Sequence, residues 1–202
     1  MHPNSKFRWD DRQAILDFIQ TTAFAHLFVQ GEDGPLVAHV PAVVTREGNL
    51  RFHLARSNPV TKVLDGKVAL ASFAGLDAYI SPDWYGSDDQ VPTWNYVTVE
   101  ARGPMAVLSQ TDLAAQLDDL SAEHEARLLP KKPWTRAKMS PGLFDGMLKA
   151  IVGFEMAIDS LTGTRKLGQN KNADDLAGAL AGLEGAGRGD MAALMAAARE
   201  AR

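Results

Sequence analysis

Residues 24–55 read FAHLFVQ, GEDG, PLVAHVPAVVT, REGN, LRFHLA, and this stretch decides the fold. Three runs rich in β-branched and aromatic residues, 24–30, 36–45 and 50–55, are separated by Gly31-Glu32-Asp33-Gly34 and Glu47-Gly48-Asn49. Glycine and short polar residues between such runs are hairpin-turn chemistry, so the segment predicts three antiparallel strands. Outward from it, residues 67–80 form a further run. In 96–108, Val97, Val99 and Ala101 alternate with Thr98, Glu100 and Arg102, as in a half-buried strand. A last strand is expected over 151–159, where Val152, Phe154, Met156 and Ile158 share one face.

Helices interrupt this pattern. Asp10 and Asp11 precede Ala14, Ile15, Phe18 and Ile19, one apolar stripe on a helix with acids at its positive end. Ser109-Gln110-Thr111-Asp112 has the form of a capping box, followed at helical spacing by Leu113, Leu117, Leu120, His124 and Leu128. A short helix is predicted over 143–150, and two Ala/Leu-rich helices over 174–183 and 190–199, split by Glu184-Gly185-Ala186-Gly187-Arg188-Gly189. About six antiparallel strands with few inserted helices predict an α+β fold in which the sheet closes, because closure removes exposed edges. The expected organisation is a barrel domain over residues 1–172 and a helical C-terminal tail over 173–202.

Composition narrows the function classes. Of 202 residues, 21 are Lys or Arg and 25 are Asp or Glu, for a formal net charge of −4. That balance argues against nucleic-acid binding as the main role, which ordinarily leaves a basic surplus. The absence of cysteine excludes disulfides, thiolate nucleophiles and Cys-based metal sites, and the five histidines show no ligand-like spacing, so no metal site is expected. No apolar h-region follows the early charges and no apolar run approaches the roughly 20 residues of a membrane helix. A soluble, cytoplasmic protein without membrane contact is the expectation. Walker, G-x-G-x-x-G, G-x-S-x-G and H-E-x-x-H motifs are all missing.

Four stretches could carry chemistry. His53-Leu54-Ala55-Arg56-Ser57-Asn58-Pro59 places an arginine at a strand end, with Asn58 suited to N-cap a helix over 60–64 and Pro59 to open it. Such a corner either grips a phosphate through a guanidinium and free amides or is an ordinary cap with a surface arginine. Lys166-Leu167-Gly168-Gln169-Asn170-Lys171 lies in a segment, 160–172, with three cations and no acid. It reads as a phosphate clamp with side-chain amides for a polar ring edge, or as a solvated loop. Tyr79-Ile80-Ser81-Pro82-Asp83-Trp84-Tyr85 and Val91-Pro92-Thr93-Trp94-Asn95-Tyr96 are dense in aromatics, which suits a planar ligand, a partner surface or a loop over the barrel mouth. Residues 131–138, with four cations and Trp134, could approach nucleic acid or be an exposed loop.

Together these motifs resemble the PaiB family of FMN-binding negative transcriptional regulators with a split-barrel fold. The resemblance runs over most of the chain: Met1-His2-Pro3, Gly34-Pro35-Leu36, His39-Val40-Pro41, the 53–59 corner, 78–85, 91–96, Ile151-Val152-Gly153-Phe154-Glu155 and the closing 166–171 stretch. Arg165 stands where the family usually has tryptophan, and Gly168 where it has serine. The resemblance implies a homodimer with FMN in the cleft between two barrels. On that reading Arg56 with Lys166 or Lys171 takes the phosphate, aided by the helix start at Asn58. Thr93, Trp94 and Asn95 line the ribityl chain or ring edge, Gln169 and Asn170 bond polar ring atoms, and His53 borders the pocket. The family label implies a transcriptional regulator, with DNA as a partner. The alternative is a small flavin-dependent oxidoreductase, like the pyridoxamine-phosphate oxidases or flavin reductases that share the split barrel; a third is a cofactor-free interaction module.

Overall fold

The computed structural model describes residues 2–200, so Met1 of the opening Met1-His2-Pro3 lies outside the described residues. In chain order the elements are β1 (Arg8–Trp9), α1 (Arg12–Thr22), β2 (Phe24–Gly31), β3 (Gly34–Val44), β4 (Leu50–Ala55), β5 (Val68–Ile80), β6 (Thr93–Val107), α2 (Gln110–Ala126), α3 (Leu143–Leu148), β7 (Ile151–Met156), β8 (Ser160–Lys166), α4 (Ala173–Gly185) and α5 (Gly189–Glu200). Short 3₁₀ turns stand at Ser5–Phe7, Pro59–Lys62, Pro82–Trp84 and Arg136–Lys138. The strands form one sheet in the order β1-β8-β6-β5-β2-β3-β4-β7, with β7 also pairing β6. That second pairing joins β2, β3, β4, β7, β6 and β5 into a closed antiparallel ring, the α+β barrel that the strand runs predict.

By compactness the chain divides into two units. The larger holds residues 12–73 and 100–161. Its first hairpin pairs Gly31 with Gly34 across Glu32-Asp33, and Gly34 sits at φ 132°, a conformation that favours glycine. Inside the ring, alternation buries Ala25, Leu27 and Val29 of β2 and Leu50, Phe52 and Leu54 of β4. Phe52 is paired in register with Phe154, and their rings stack at 6.0 Å. Helix α1 buries Ile15, Leu16 and Ile19. Helix α2 begins as its capping box predicts: the Ser109 hydroxyl accepts from the Asp112 amide at 3.1 Å and donates to the Asp112 carboxylate at 2.6 Å.

The smaller unit holds residues up to 11, 74–99 and from 162 onward. Here the structure departs from the expected last strand. β7 ends at Met156, and the stretch read as a loop is strand β8, whose Gly163 and Thr164 pair with Trp9 and Arg8 of β1. Past Met156 the Ala157 and Asp159 amides still donate to the Pro104 and Arg102 carbonyls of β6 at 3.2 and 2.9 Å, and a Cβ on Gly103 would lie 1.7 Å from the Ala157 carbonyl oxygen, so the two backbones close on each other there. Helices α4 and α5 cluster with the smaller unit. Leu176, Ala179 and Leu183 of α4 and Met191, Ala192 and Met195 of α5 are buried. Gly178 and Gly182 let α4 lie directly on the Pro82–Trp84 turn; a Cβ at Gly182 would sit 2.2 Å from the Trp84 ring.

Candidate functional site

The polar cluster of the smaller unit is assembled by strand alternation and one tight turn. β8 delivers Lys166 to the side chain of Thr93 at the start of β6, and the Lys166 ammonium donates to the Thr93 hydroxyl. The chain then turns through Gly168, at φ 76°, closed by a 2.9 Å bond from the Lys171 amide to the Gly168 carbonyl. This brings Lys171 back beside Lys166. The Lys171 ammonium donates to the Gln90 side-chain carbonyl and lies 3.9 Å from the centre of the Tyr85 ring. Burial pushes the Lys166 pKa down, and the positive charge of Lys171 pushes it further the same way. Two ammonium groups held together and partly desolvated form a site that an anion relieves.

Around this pair the remaining groups are built in. Asp175, 3% exposed at the start of α4, accepts from the Ser87 amide at 2.9 Å and from the Asn172 side chain at 3.0 Å. Burial raises its pKa, but the Ser87 hydrogen bonds and the charge of Lys171 outweigh that and leave it lowered. Burial first, and then Asp175, push the Tyr85 phenol up. Gln169 turns inward: its side-chain oxygen accepts from the Leu167 amide at 2.8 Å and its nitrogen donates to the Arg165 carbonyl at 2.5 Å, so it shapes the turn. Asn170 is exposed at the tip of that turn.

Alternation along β6 separates three residues that the sequence grouped. Thr93 and Asn95 share a face, while Trp94 leaves on the other. Asn95 is 2% exposed and donates to the Met195 sulfur of α5 at 3.3 Å. Trp94 is 54% exposed and meets Tyr79 edge to face at 6.3 Å, an open aromatic pair. Arg165, on the β8 face opposite Lys166, lies over the Trp9 ring at 3.3 Å, and burial lowers its pKa.

The larger unit holds His53, Arg56 and Asn58. Arg56 is exposed, and its guanidinium donates to the Lys149 carbonyl at 3.0 Å and the Ile151 carbonyl at 3.2 Å, which pins the chain entering β7. Donor capacity remains on the fork. Asn58 does cap as expected, accepting from the Val60 amide at 2.9 Å. The element it caps is only the 3₁₀ turn Pro59–Lys62, however, so the anticipated helix start is missing and no aligned helix dipole stands there. His53 points away from the Phe52 face of β4, beside α2; its Nδ1 and both amide atoms of the fully buried Gln116 lack hydrogen-bond partners. Burial pushes the His53 pKa down, against a smaller opposing pull from Gln116.

The cation-dense stretch 131–138 also belongs to the larger unit, and two of its four cations are ion-paired within it. Lys131 pairs with Glu125, Arg136 with Asp118 at 3.1 Å, and Lys138 donates to the Pro133 carbonyl at 2.8 Å. Among the described residues no group of three or more histidines, aspartates or glutamates could hold a metal, and no helix is long and apolar enough to cross a membrane.

Comparison with known proteins gives the family and the fold. A family described as “Putative FMN-binding domain” matches residues 1–160. Protease synthase and sporulation protein PAI 2 from Bacillus subtilis is 30% identical over 173 residues, covering 84% of this chain and 82% of that protein. Among solved structures, the FAD and heme binding protein from Mycobacterium smegmatis superposes with a TM-score of 0.61 at 19% identity, over 84% of this chain and 78% of that one. The flavocytochrome Anf3 from Azotobacter vinelandii gives 0.61 at 14% identity, over 82% and 72%. These likenesses show the fold, an α+β split barrel.

Proposed function

Because the chain belongs to this FMN-binding family, with a PaiB relative along most of its length, we propose that it is a cytoplasmic homodimer that holds FMN and acts as a negative transcriptional regulator of the PaiB type. The observation that carries the flavin assignment is the Lys166–Lys171 pair, joined to Thr93 and Gln90, in which burial and the charge of Lys171 lower the Lys166 pKa. FMN presents a dianionic phosphate, which matches two like charges held side by side. Lys166 and Lys171 hold the phosphate; Thr93 and the exposed Trp94 supply the polar and aromatic contacts. When bound, FMN supplies one- or two-electron redox chemistry; the chain's own residues bind, orient and shield it.

The homodimer is supported by the outer face of the barrel. Phe24, Phe28, Val37 and Val68 are 51%, 39%, 48% and 51% exposed, and β2 pairs with both β3 and β5 there, so these side chains make one apolar surface. A second reading, a small flavin-dependent oxidoreductase, is favoured by the ion pairing of Lys131 and Arg136, which halves the positive charge that the chain's most basic stretch offers DNA. The test is titration of FMN into wild type and Lys166→Ala, followed by flavin fluorescence. Losing one charged contact of about 1.5–3 kcal/mol weakens binding roughly 10- to 150-fold. Equal affinities refute the phosphate site. With FMN bound, a salt-dependent, sequence-selective gel shift supports the regulator, and turnover of NADH or NADPH supports the oxidoreductase.

A further inference from the structure

The apolar outer face of the barrel carries two histidines that the flavin reading does not use. His26 on β2 and His39 on β3 are directly opposed across the hairpin, and their rings lie 5.0 Å apart at 86°. Both point outward: their neighbours Ala25, Leu27, Ala38 and Val40 are buried, whereas His39 is exposed and His26 half-buried. Directly opposed residues hold their Cβ atoms close enough for side chains to share a partner.

The spacing has a specific chemical meaning. Two imidazoles that share one tetrahedral zinc, each with a metal–nitrogen bond of about 2.0–2.1 Å, hold their ring centres roughly 5 Å apart. The separation already present matches that value, so the pair needs ring rotation and no strand movement to present both nitrogens to one cation. The hairpin makes the arrangement rigid, because the two-residue turn fixes which residues face each other. Of the other histidines, His53 lies beside α2, and His2 accepts from the Asn4 amide through Nδ1. With no larger ligand cluster among the described residues, this chain offers two nitrogens, and the remaining coordination positions stay open to water or to the same pair on a second copy.

We propose that His26 and His39 form a chelating site for a divalent transition cation of the borderline class that imidazole prefers, Zn²⁺, Ni²⁺ or Cu²⁺. The site lies on the barrel's outer face, within the surface proposed for the homodimer.

The test is calorimetric titration of Ni²⁺ and Zn²⁺ into the full-length, tag-free protein and into His26→Ala, His39→Ala and His2→Ala. Wild type and His2→Ala should bind saturably and alike. Each of the other two should weaken at least the roughly 10–100-fold that loss of even an outer-shell partner costs a metal site. His39→Gln, which keeps size and polarity, replaces any variant that fails to fold and should weaken binding equally. Nickel paramagnetism adds a second readout: it should broaden the ring signals of His26 and His39 before those of other histidines. Absence of saturable binding in wild type, or wild-type affinity in the His26 and His39 variants, overturns the proposal, as does loss of binding in His2→Ala alone.

Discussion

Gly182→Ala tests how the C-terminal helices are attached. The added Cβ would fall 2.2, 2.4 and 2.6 Å from three atoms of the Trp84 ring, far inside van der Waals contact. The ring cannot yield easily, since the Trp84 carbonyl lies against Gly178 one turn earlier, where a Cβ would come within 2.0 Å. Overpacking of this kind costs about 1–3 kcal/mol, partly offset by the ~1 kcal/mol by which alanine outranks glycine in a helix. At roughly 2–4 °C per kcal/mol for a chain of this size, the midpoint of thermal unfolding should fall by up to about 8 °C. Gly185→Ala is the control: it lies on the same helix with nothing within 4 Å of its Cβ, and should be neutral or stabilising. The assay is calorimetric unfolding of both variants, with Trp84→Ala and the Trp84→Ala/Gly182→Ala double variant completing a cycle. Removing the ring should relieve most of the Gly182→Ala penalty, a coupling that neither single change predicts. Equal midpoints for Gly182→Ala and Gly185→Ala, or additive losses in the cycle, would refute the close approach as the reason for the glycine.

Two further expectations follow from the larger unit. Burial depresses the His53 pKa in the folded state below its ordinary value near 6.5, so the unfolded chain binds the proton more readily. Its contribution to stability is therefore complete above about pH 6.5 and declines as pH falls toward the folded value; urea unfolding at successive pH values should show a smaller acid loss in His53→Leu than in wild type, and identical slopes would exclude the coupling. Glu155 accepts from both Arg51 and Asn49, in a pair whose side chains are 27% and 25% exposed. Glu155→Ala leaves a partly desolvated guanidinium and should cost about 1.5–3 kcal/mol in denaturant unfolding, whereas a change below a few tenths would mean that water satisfies Arg51 fully.

Most of the barrel is legible in the sequence because its signals are local. Gly31 to Gly34 sets the first hairpin, Ser109 and Asp112 start α2, and period-two alternation marks β4 and β6. What escaped reading depends on partners distant in the chain. β8 reads Ser-Leu-Thr-Gly-Thr-Arg-Lys, with one large apolar residue, and it is a strand because β6 on one side and β1 on the other supply its ladder. Its Thr162-x-Thr164-x-Lys166 alternation was the available signal, and the charges of Arg165 and Lys166 masked it as loop.

That missed strand changes the reading of the site. As a loop, Arg165, Lys166 and Lys171 would be three interchangeable cations around an anion. As the end of a strand, Arg165 and Lys166 must face opposite ways, and the structure gives Arg165 to the Trp9 ring and Lys166 to Thr93. Arg165, which stands where the PaiB pattern has tryptophan, thus does the packing work of an aromatic, stacking its planar guanidinium on another one. Gly168 then becomes the decisive position of the turn. It sits at φ 76°, a Cβ there would be 3.3 Å from Met195, and its carbonyl accepts the Lys171 amide. A serine in its place would meet both a strained backbone and the buried face of α5. Gly168 therefore belongs to the way this chain seats α5, and Arg165 to its packing on Trp9, while Lys166 and Lys171 remain the pair proposed to take an anion.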